Sequence, residues 1–490
     1  MSNQYRSILK ATSIFGGAQI IQILVGLLRS KLVAVLVGTE GMGLNSMYMS
    51  SLTMFITIFG MGVNMSVVKD LSKAFDQQNQ ELFAKIATTF RHLLWLLGSV
   101  GTIFVIIISP LISKWSFGND DYVLQFCFLS LIVLFTLLAQ GNTAVIISSR
   151  RIKDMAKCSL LSSVVSLLIA VPFFYFLRIE GIVPGIVFST IGNYFVTFFY
   201  ARKVKIMRVD ISLKEQMQLS KSFVLLGIAL VIASLLGNVS SYVINLSITR
   251  LGGLSDLGLY GAGFTITIQT ITMVFASMGS DYFPRLSAAM GDKERMNQTM
   301  NEQSEIVLLL AVPILSVFML FSPLIIRLLL SEEFLPITDF IRILCLGMLF
   351  KATGYALGYA SFAKGDKKVY LFLEGIYGNL LNIILSVSFY YFGGLQGLAW
   401  SFVINYLQYY FVVKYVDGHR YGYKQTDSVS KLVFVSALVM TLLLALSYLK
   451  NEILYYTVAG VVTSVLCWLY LSNLNKKTGL LQTIKSRLIK

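Results

Sequence analysis

Fourteen stretches of this chain stay apolar for long enough to cross a lipid bilayer. They lie near 11–37, 42–67, 86–112, 122–149, 156–177, 181–201, 222–248, 257–284, 304–330, 335–363, 370–392, 395–413, 432–449 and 453–472. At about 1.5 Å of rise per residue, roughly 20 residues traverse a hydrocarbon core of about 30 Å. The runs are continuously apolar and do not alternate with period two, so they predict helices and not the strands of a barrel. The pattern predicts an all-α integral membrane protein with fourteen transmembrane helices.

A second regularity lies over the first. Gly185 to Val204, GIVFSTIGNYFVTFFYARKV, recurs 212 positions later as Gly397 to Val416, GLAWSFVINYLQYYFVVKYV. Ser109-Pro110-Leu111-Ile112 matches Ser322-Pro323-Leu324-Ile325 at 213, and Met42-Gly43-Leu44 resembles Leu257-Gly258-Leu259 at 215. A repeat this long is not a solenoid unit; it reads as two similar lobes of six helices. Residues 1–205 form the first lobe, 206–221 a basic cytoplasmic linker and 222–416 the second lobe. Residues 430–474 add a two-helix hairpin, and 475–490 a basic tail. Each lobe has an even number of spans, so the repeat is parallel. The expected relation is a rotation about the membrane normal, with a cavity among helices 1, 2, 7, 8 and their neighbours.

Composition agrees: 56% hydrophobic and 13% charged residues leave too little polar surface to wrap a soluble fold of 490 residues. The formal charge of +16 would suit nucleic acid if it were clustered on one face. It is instead distributed by topology. With a cytoplasmic N-terminus, thirty Lys and Arg fall in inside segments, while only Lys114, Arg178, Arg250 and Lys450 fall outside. Both termini are thus expected in the cytoplasm, and the basic loops beside anionic headgroups. The first apolar run is too long for a signal-peptide core. Cys127, Cys158, Cys345 and Cys467 lack metal-ligand spacing and read as packing residues. Only His92 and His419 are present, no paired carboxylates occupy a plausible site, and no phosphate-cradling loop precedes a Lys-Ser or Lys-Thr pair. Neither catalysis nor nucleotide hydrolysis is expected and no cofactor is implied; a transporter with this sequence would be driven by an ion gradient, of H+ or Na+, by the substrate gradient or by a separate partner.

Ionisable groups inside spans mark function, because burying them in hydrocarbon is costly. Arg91 and Arg327 are near helix ends and can snorkel. Lys351 sits about 24 Å and 18 Å from its helix ends, where snorkelling is difficult. Arg29 occupies the outer half of helix 1, Lys31 is about 200° round the same helix, and Arg342 is eight positions from its helix's outer end. A cavity lined by Arg and Lys suits an anion, and the planar Arg fork suits a phosphate diester or pyrophosphate. Asn193, Asn245, Gln269 and Asn405, with Gln140, Asn142, Asn379, Asn382 and Gln408, are candidates to bind sugar hydroxyls or to bond between helices. Asp281 and Glu374, near cytoplasmic ends, are candidates for ion coupling; a helix-end ion pair is their plainer reading.

The segment Gly26-Leu-Leu-Arg29-Ser-Lys31-Leu-Val-Ala-Val-Leu-Val-Gly38 leads into Glu40-Gly41-Met42-Gly43-Leu44. Helix 2 closes with Gly60-Met61-Gly62 and Val67-Val-Lys-Asp-Leu-Ser72. Together these resemble the N-terminal region of polysaccharide flippases in the multidrug/oligosaccharidyl-lipid/polysaccharide superfamily, above all the Wzx-type O-antigen translocases. The resemblance implies a flippase of the bacterial inner membrane. It would carry an undecaprenyl-pyrophosphate-linked oligosaccharide, an O-antigen or capsule repeat unit, from the cytoplasmic to the periplasmic leaflet by alternating access. Membrane lipids and a polysaccharide polymerase or assembly proteins are the implied partners. The lipid II flippase, a relative, has a similar Gly-x-x-Arg segment whose Arg contacts pyrophosphate, which implies that role for Arg29. Helix 2 has no Arg here, which argues against lipid II as substrate. The alternative is a cation-coupled multidrug antiporter of the same superfamily. Those usually have twelve helices and a membrane acidic cluster, which this chain does not match.

Overall fold

The computed structural model describes the backbone of residues 3–207, 209–449 and 451–478. Within 21–477 it also describes the side chains, except at 208, 222, 226, 229, 230, 273, 276–281 and 450. Among the described residues the protein is all-helical, with fourteen long helical passes and no strand. These are α1 (3–37), α2 (39–60, continued by Val63–Asp76), α3 (Gln80–Phe117), α4 (Val123–Leu129 and Leu131–Ser148), α5 (Ile152–Leu177), α6 (Ile182–Ala201) and α7 (213–252). They continue as α8 (254–289), α9 (Lys293–Leu320), α10 (Thr338–Lys364), α11 (367–393), α12 (395–421), α13 (Asp427–Leu446) and α14 (Glu452–Thr478).

Among the described residues, nine continuous stretches are long and apolar enough to cross a membrane, and four of them contain two passes each. The exception is α10, which carries Arg342 and Lys351 and whose stretch 340–350 is wholly buried. It packs against α9, α11 and α12.

The breaks within the long stretches repeat in the same register as the sequence. Gly38 (φ 69°, ψ −168°) joins α1 to α2, and Gly253 (φ 86°, ψ −178°) joins α7 to α8, 215 residues later. Arg178 (φ 54°, ψ −126°) follows α5, and Gly394 (φ 54°, ψ −144°) joins α11 to α12. This backbone region is open to glycine and strained for other residues. Arg178 is the non-glycine member, and its Nη1 donates to the Leu36 carbonyl at 3.1 Å, which helps to hold it there.

The chain divides into two compact units, Met1–Gly258 and Leu259–Lys490. The linker expected at 206–221 is not where compactness changes, because α7 packs on the first unit. Phe223 joins that unit's core, and its carbonyl accepts from Ser66 Oγ at 2.8 Å. Asn238 donates to Thr57 at 2.7 Å, and Tyr242 meets Ser116 at 3.1 Å. The core of this unit runs through Tyr48, Leu52, Phe55, Phe90, Leu94, Phe126, Leu137 and Phe174. Within it, Thr39–Gly43 and Leu254–Gly258 cross backbone against backbone. A Cβ on Gly43 would sit 2.8 Å from the Leu254 carbonyl carbon, and one on Gly258 would sit 2.8 Å from that of Thr39. The contact is reciprocal, with the partners 215 residues apart.

In the second unit, a core of Tyr282, Leu286, Met296, Met300, Leu357, Tyr410 and Tyr421 ties α8 and α9 to α10 and α12. α13 and α14 pack against α9.

Candidate functional site

Three helices of the second unit line an open cavity of about 610 Å³. α10 contributes one face at helical spacing: Lys351, Gly354, Tyr355, Gly358, Tyr359 and Phe362. α11 contributes Tyr370, Glu374, Gly378, Asn379 and Asn382, and α12 contributes Asn405, Tyr406 and Tyr409. Gly354 and Gly358, one turn apart, keep the α10 wall low. A Cβ on Gly358 would touch both Glu374 Oε1 and the Tyr409 hydroxyl at 3.4 Å. Small residues at i and i+4 are how membrane helices admit close neighbours.

Glu374 reaches the cavity through a local change of helix type. Residues Leu371–Tyr377 form a π-helical turn, which places one more residue per turn than an α-helix and rotates Glu374 inward. The wider turn displaces carbonyls from their usual partners. Asn379 Nδ2 recovers two of them, donating to the carbonyls of Glu374 at 2.9 Å and Gly375 at 2.7 Å. The carboxylate accepts a hydrogen bond from the Tyr409 hydroxyl. The helix-end ion pair expected for Glu374 is not formed among the described residues.

Lys351 is the other charged lining residue. Its Nζ lies 5.2 Å from the centre of the Tyr406 ring, a cation–π contact worth about 0.5–2 kcal/mol. Asn405 is 8% exposed and donates to Asn382 Oδ1 at 3.3 Å, while Gln408 donates to the Asn405 carbonyl at 2.9 Å. The tyrosines are braced from behind. Tyr355 stacks on Phe275 with centroids 4.4 Å apart and donates to the Phe275 carbonyl at 2.6 Å, and Tyr406 stacks on Phe402.

The structure thus brings together Lys351, Glu374, Asn379, Asn382 and Asn405 from the residues singled out in the sequence, with Gln408 beside Asn405. It places the others elsewhere. Arg342 is 8% exposed, pairs with Asp339 at 3.3 Å and lies 5.1 Å over the Tyr455 ring; it fastens α10 to α14 and does not line the cavity. Gln269 is half-buried on α8, its Oε1 without a partner among the described residues. Arg29 and Lys31 on α1, Asn193 on α6 and Asn245 on α7 are half-buried members of the first unit. The side chain of Asp281 lies outside the described residues. Gln140 and Asn142 serve interhelical bonds, to Asn64 at 2.5 Å and Thr197 at 3.3 Å.

Two features were missed from the sequence. The aromatic lining was legible in principle, because Tyr355 and Tyr359 share the Lys351 face. Asp417 was not. Lying beyond the apolar run 395–413, it is a 1% exposed carboxylate on α12 whose Oδ2 has no partner among the described residues.

A profile of polysaccharide biosynthesis proteins matches residues 32–339, more than half of the chain. The chain belongs to the polysaccharide biosynthesis protein family. Proteins similar to it include a Shigella flexneri protein named as an O-antigen transporter, 23% identical over 68% of this chain and 79% of that one. The lipid III flippase of Escherichia coli K12 is 24% identical over 82% of this chain and 96% of that one. Among solved structures, the inward closed lipid II flippase MurJ superposes with a TM-score of 0.73 at 15% identity, covering 94% of this chain and 99% of that one. An inward-facing multidrug transporter of the MATE family superposes at 0.69 and 16% identity, covering 84% and 95%. The fold of this family member is therefore that of MurJ and MATE transporters, and it is a multi-pass membrane protein.

Proposed function

We propose that this chain is a flippase that moves an undecaprenyl-pyrophosphate-linked oligosaccharide, an O-antigen or capsule repeat unit, from the cytoplasmic to the periplasmic leaflet by alternating access. The observation that carries the reading is a cavity of about 610 Å³ that holds Lys351, Glu374 and three asparagines within the helical bundle of a chain of this family. Relatives named for O-antigen transport and lipid III flipping support it, and they support a transporter over an enzyme. Bacterial inner-membrane residence with both termini cytoplasmic, and hand-over to a polymerase or assembly proteins, belong to the same reading.

In this reading Arg29 holds the pyrophosphate, with Lys31 in support, while Asn193, Asn245 and Gln269 contribute hydrogen bonds. Lys351 and Asn405 act in the cavity of the second unit, and Glu374 is the group assigned to coupling by H+ or Na+, with Asp281 as the second candidate. Arg342, named with them from the sequence, is given an architectural role. Complementation of a flippase-null strain at matched expression tests the proposal. Wild type restores surface polysaccharide, Arg29→Ala and Lys351→Ala each reduce it, and Lys31→Ala has a smaller effect. Wild-type polysaccharide from both Arg29→Ala and Lys351→Ala would reject these roles.

A second reading, cation-coupled antiport of small molecules, is favoured by one observation: the cavity holds the carboxylate of Glu374. Export of cationic dyes by proteoliposomes, with no flipping of lipid-linked saccharide, would select it.

A further inference from the structure

The cavity has the wrong charge for a pyrophosphate. Its lining includes one cation, Lys351, and one anion, Glu374. A pyrophosphate is bound by several converging cationic or N–H donors, and a carboxylate in the same cavity opposes it. What remains is a set of groups for a neutral, polyhydroxylated ligand. Asn382 and Asn405 supply amides that donate and accept, Glu374 supplies a strong acceptor, and Lys351 supplies a donor, while the Asn379 amide N–H groups stay committed to the π turn. Tyr355, Tyr359, Tyr406 and Tyr409 supply ring faces on which the C–H face of a pyranose packs. The rings are held before any ligand arrives. Tyr355 is fixed by Phe275, Tyr406 by Phe402, and Tyr409 by its hydrogen bond to Glu374. Such preorganisation lowers the entropy lost on binding. The volume, about 610 Å³, is in the range of small-ligand sites and well below that of a whole lipid-linked oligosaccharide.

The geometry points to a saccharide subsite: the α10–α11–α12 cavity binds a sugar residue of the headgroup, separately from whatever holds the pyrophosphate. The inference rests on the flippase reading and deepens it. Lys351 then acts as a hydroxyl or acetamide donor, not as an anion trap. Gly354 and Gly358 set specificity by leaving room for the ring.

The test is binding to the full-length protein in nanodiscs by native mass spectrometry, with two probes. One is undecaprenyl pyrophosphate; the other is the undecaprenyl-pyrophosphate-linked oligosaccharide extracted from the chain's own host. Asn405→Ala, Asn382→Ala and Tyr406→Ala should each weaken the glycosylated lipid roughly 5- to 20-fold, the loss of one or two buried polar or stacking contacts. The same variants should leave the bare pyrophosphate lipid within about twofold. Gly358→Leu, which fills the cavity without removing a polar group, should also weaken only the glycosylated lipid, and it guards against misfolding of any one variant. Equal losses for both lipids, or no loss for either, would overturn the subsite. Failure of the wild type to bind either lipid would instead remove the flippase reading, and the subsite with it.

Discussion

Replacing Gly43 with alanine should loosen the crossing of Thr39–Gly43 on Leu254–Gly258. In an open helix position this change stabilises by about 0.8–1.0 kcal/mol through propensity alone. Gly26 in α1 is such a position, with nothing within 4 Å of an added Cβ. At Gly43 the methyl would lie 2.8 Å from the Leu254 carbonyl carbon and 3.2 Å from the Gly258 nitrogen, where ordinary contact begins at 3.4 Å. Both neighbours are backbone, so no rotamer change can relieve the clash and the two helices must separate. Overpacking of this kind costs about 1–3 kcal/mol, equivalent to a 5- to 150-fold shift in a two-state contact. The assay is disulfide formation between Thr39→Cys and Ser255→Cys, whose native hydroxyls are 3.0 Å apart. Gly43→Ala should slow cross-linking at least about fivefold and reduce survival of the purified protein on heating. Gly26→Ala should do neither. Adding Gly258→Ala should cost less than its effect alone, because the first methyl has already opened the gap. A Gly43→Ala protein that cross-links at the parental rate and survives heating as well as Gly26→Ala would refute the reasoning.

Three further outcomes follow from the second unit and the topology. Tyr409→Phe removes the hydroxyl that satisfies Glu374 and should cost about 1–3 kcal/mol; Glu374→Gln in the same chain should recover part of that, measured by a thermal double-mutant cycle, and strict additivity would deny the coupling. Arg342→Leu should loosen α14 from α10 at a cost of about 1–3 kcal/mol, since it removes a charge-assisted bond to Asp339 and the contact with Tyr455. Faster hydrogen exchange confined to α13 and α14 would report it, and unchanged exchange there would contradict it. Cysteines placed at Lys153 and Lys367 should label only from the cytoplasm; labelling from the periplasm in intact cells would invert the assigned orientation.

The sequence by itself determined the helices, their number and the duplication. Long apolar runs have one solution in lipid, since every backbone polar group must be paired within its own segment. The register of the repeat likewise foretold backbone geometry, with Gly38 and Gly253 bending alike 215 residues apart. Lys351 could be ranked as functional from depth alone, because the cost of burying charge depends on position along the helix.

Which residues meet was decided only by tertiary structure. Glu374 read as a helix-end residue until the π turn rotated it toward Lys351's cavity, and one added residue per turn leaves no signature in an apolar run. Arg342 and Lys351 lie on the same helix nine residues apart, yet one pairs with Asp339 beside α14 and the other lines the cavity. The boundary of compactness moved from the basic linker to Gly258 for a related reason: α7 is continuous with α8 in sequence, but its core contacts are with α2 and α3. Periodicity fixes which face of a helix is polar; packing alone fixes what that face meets.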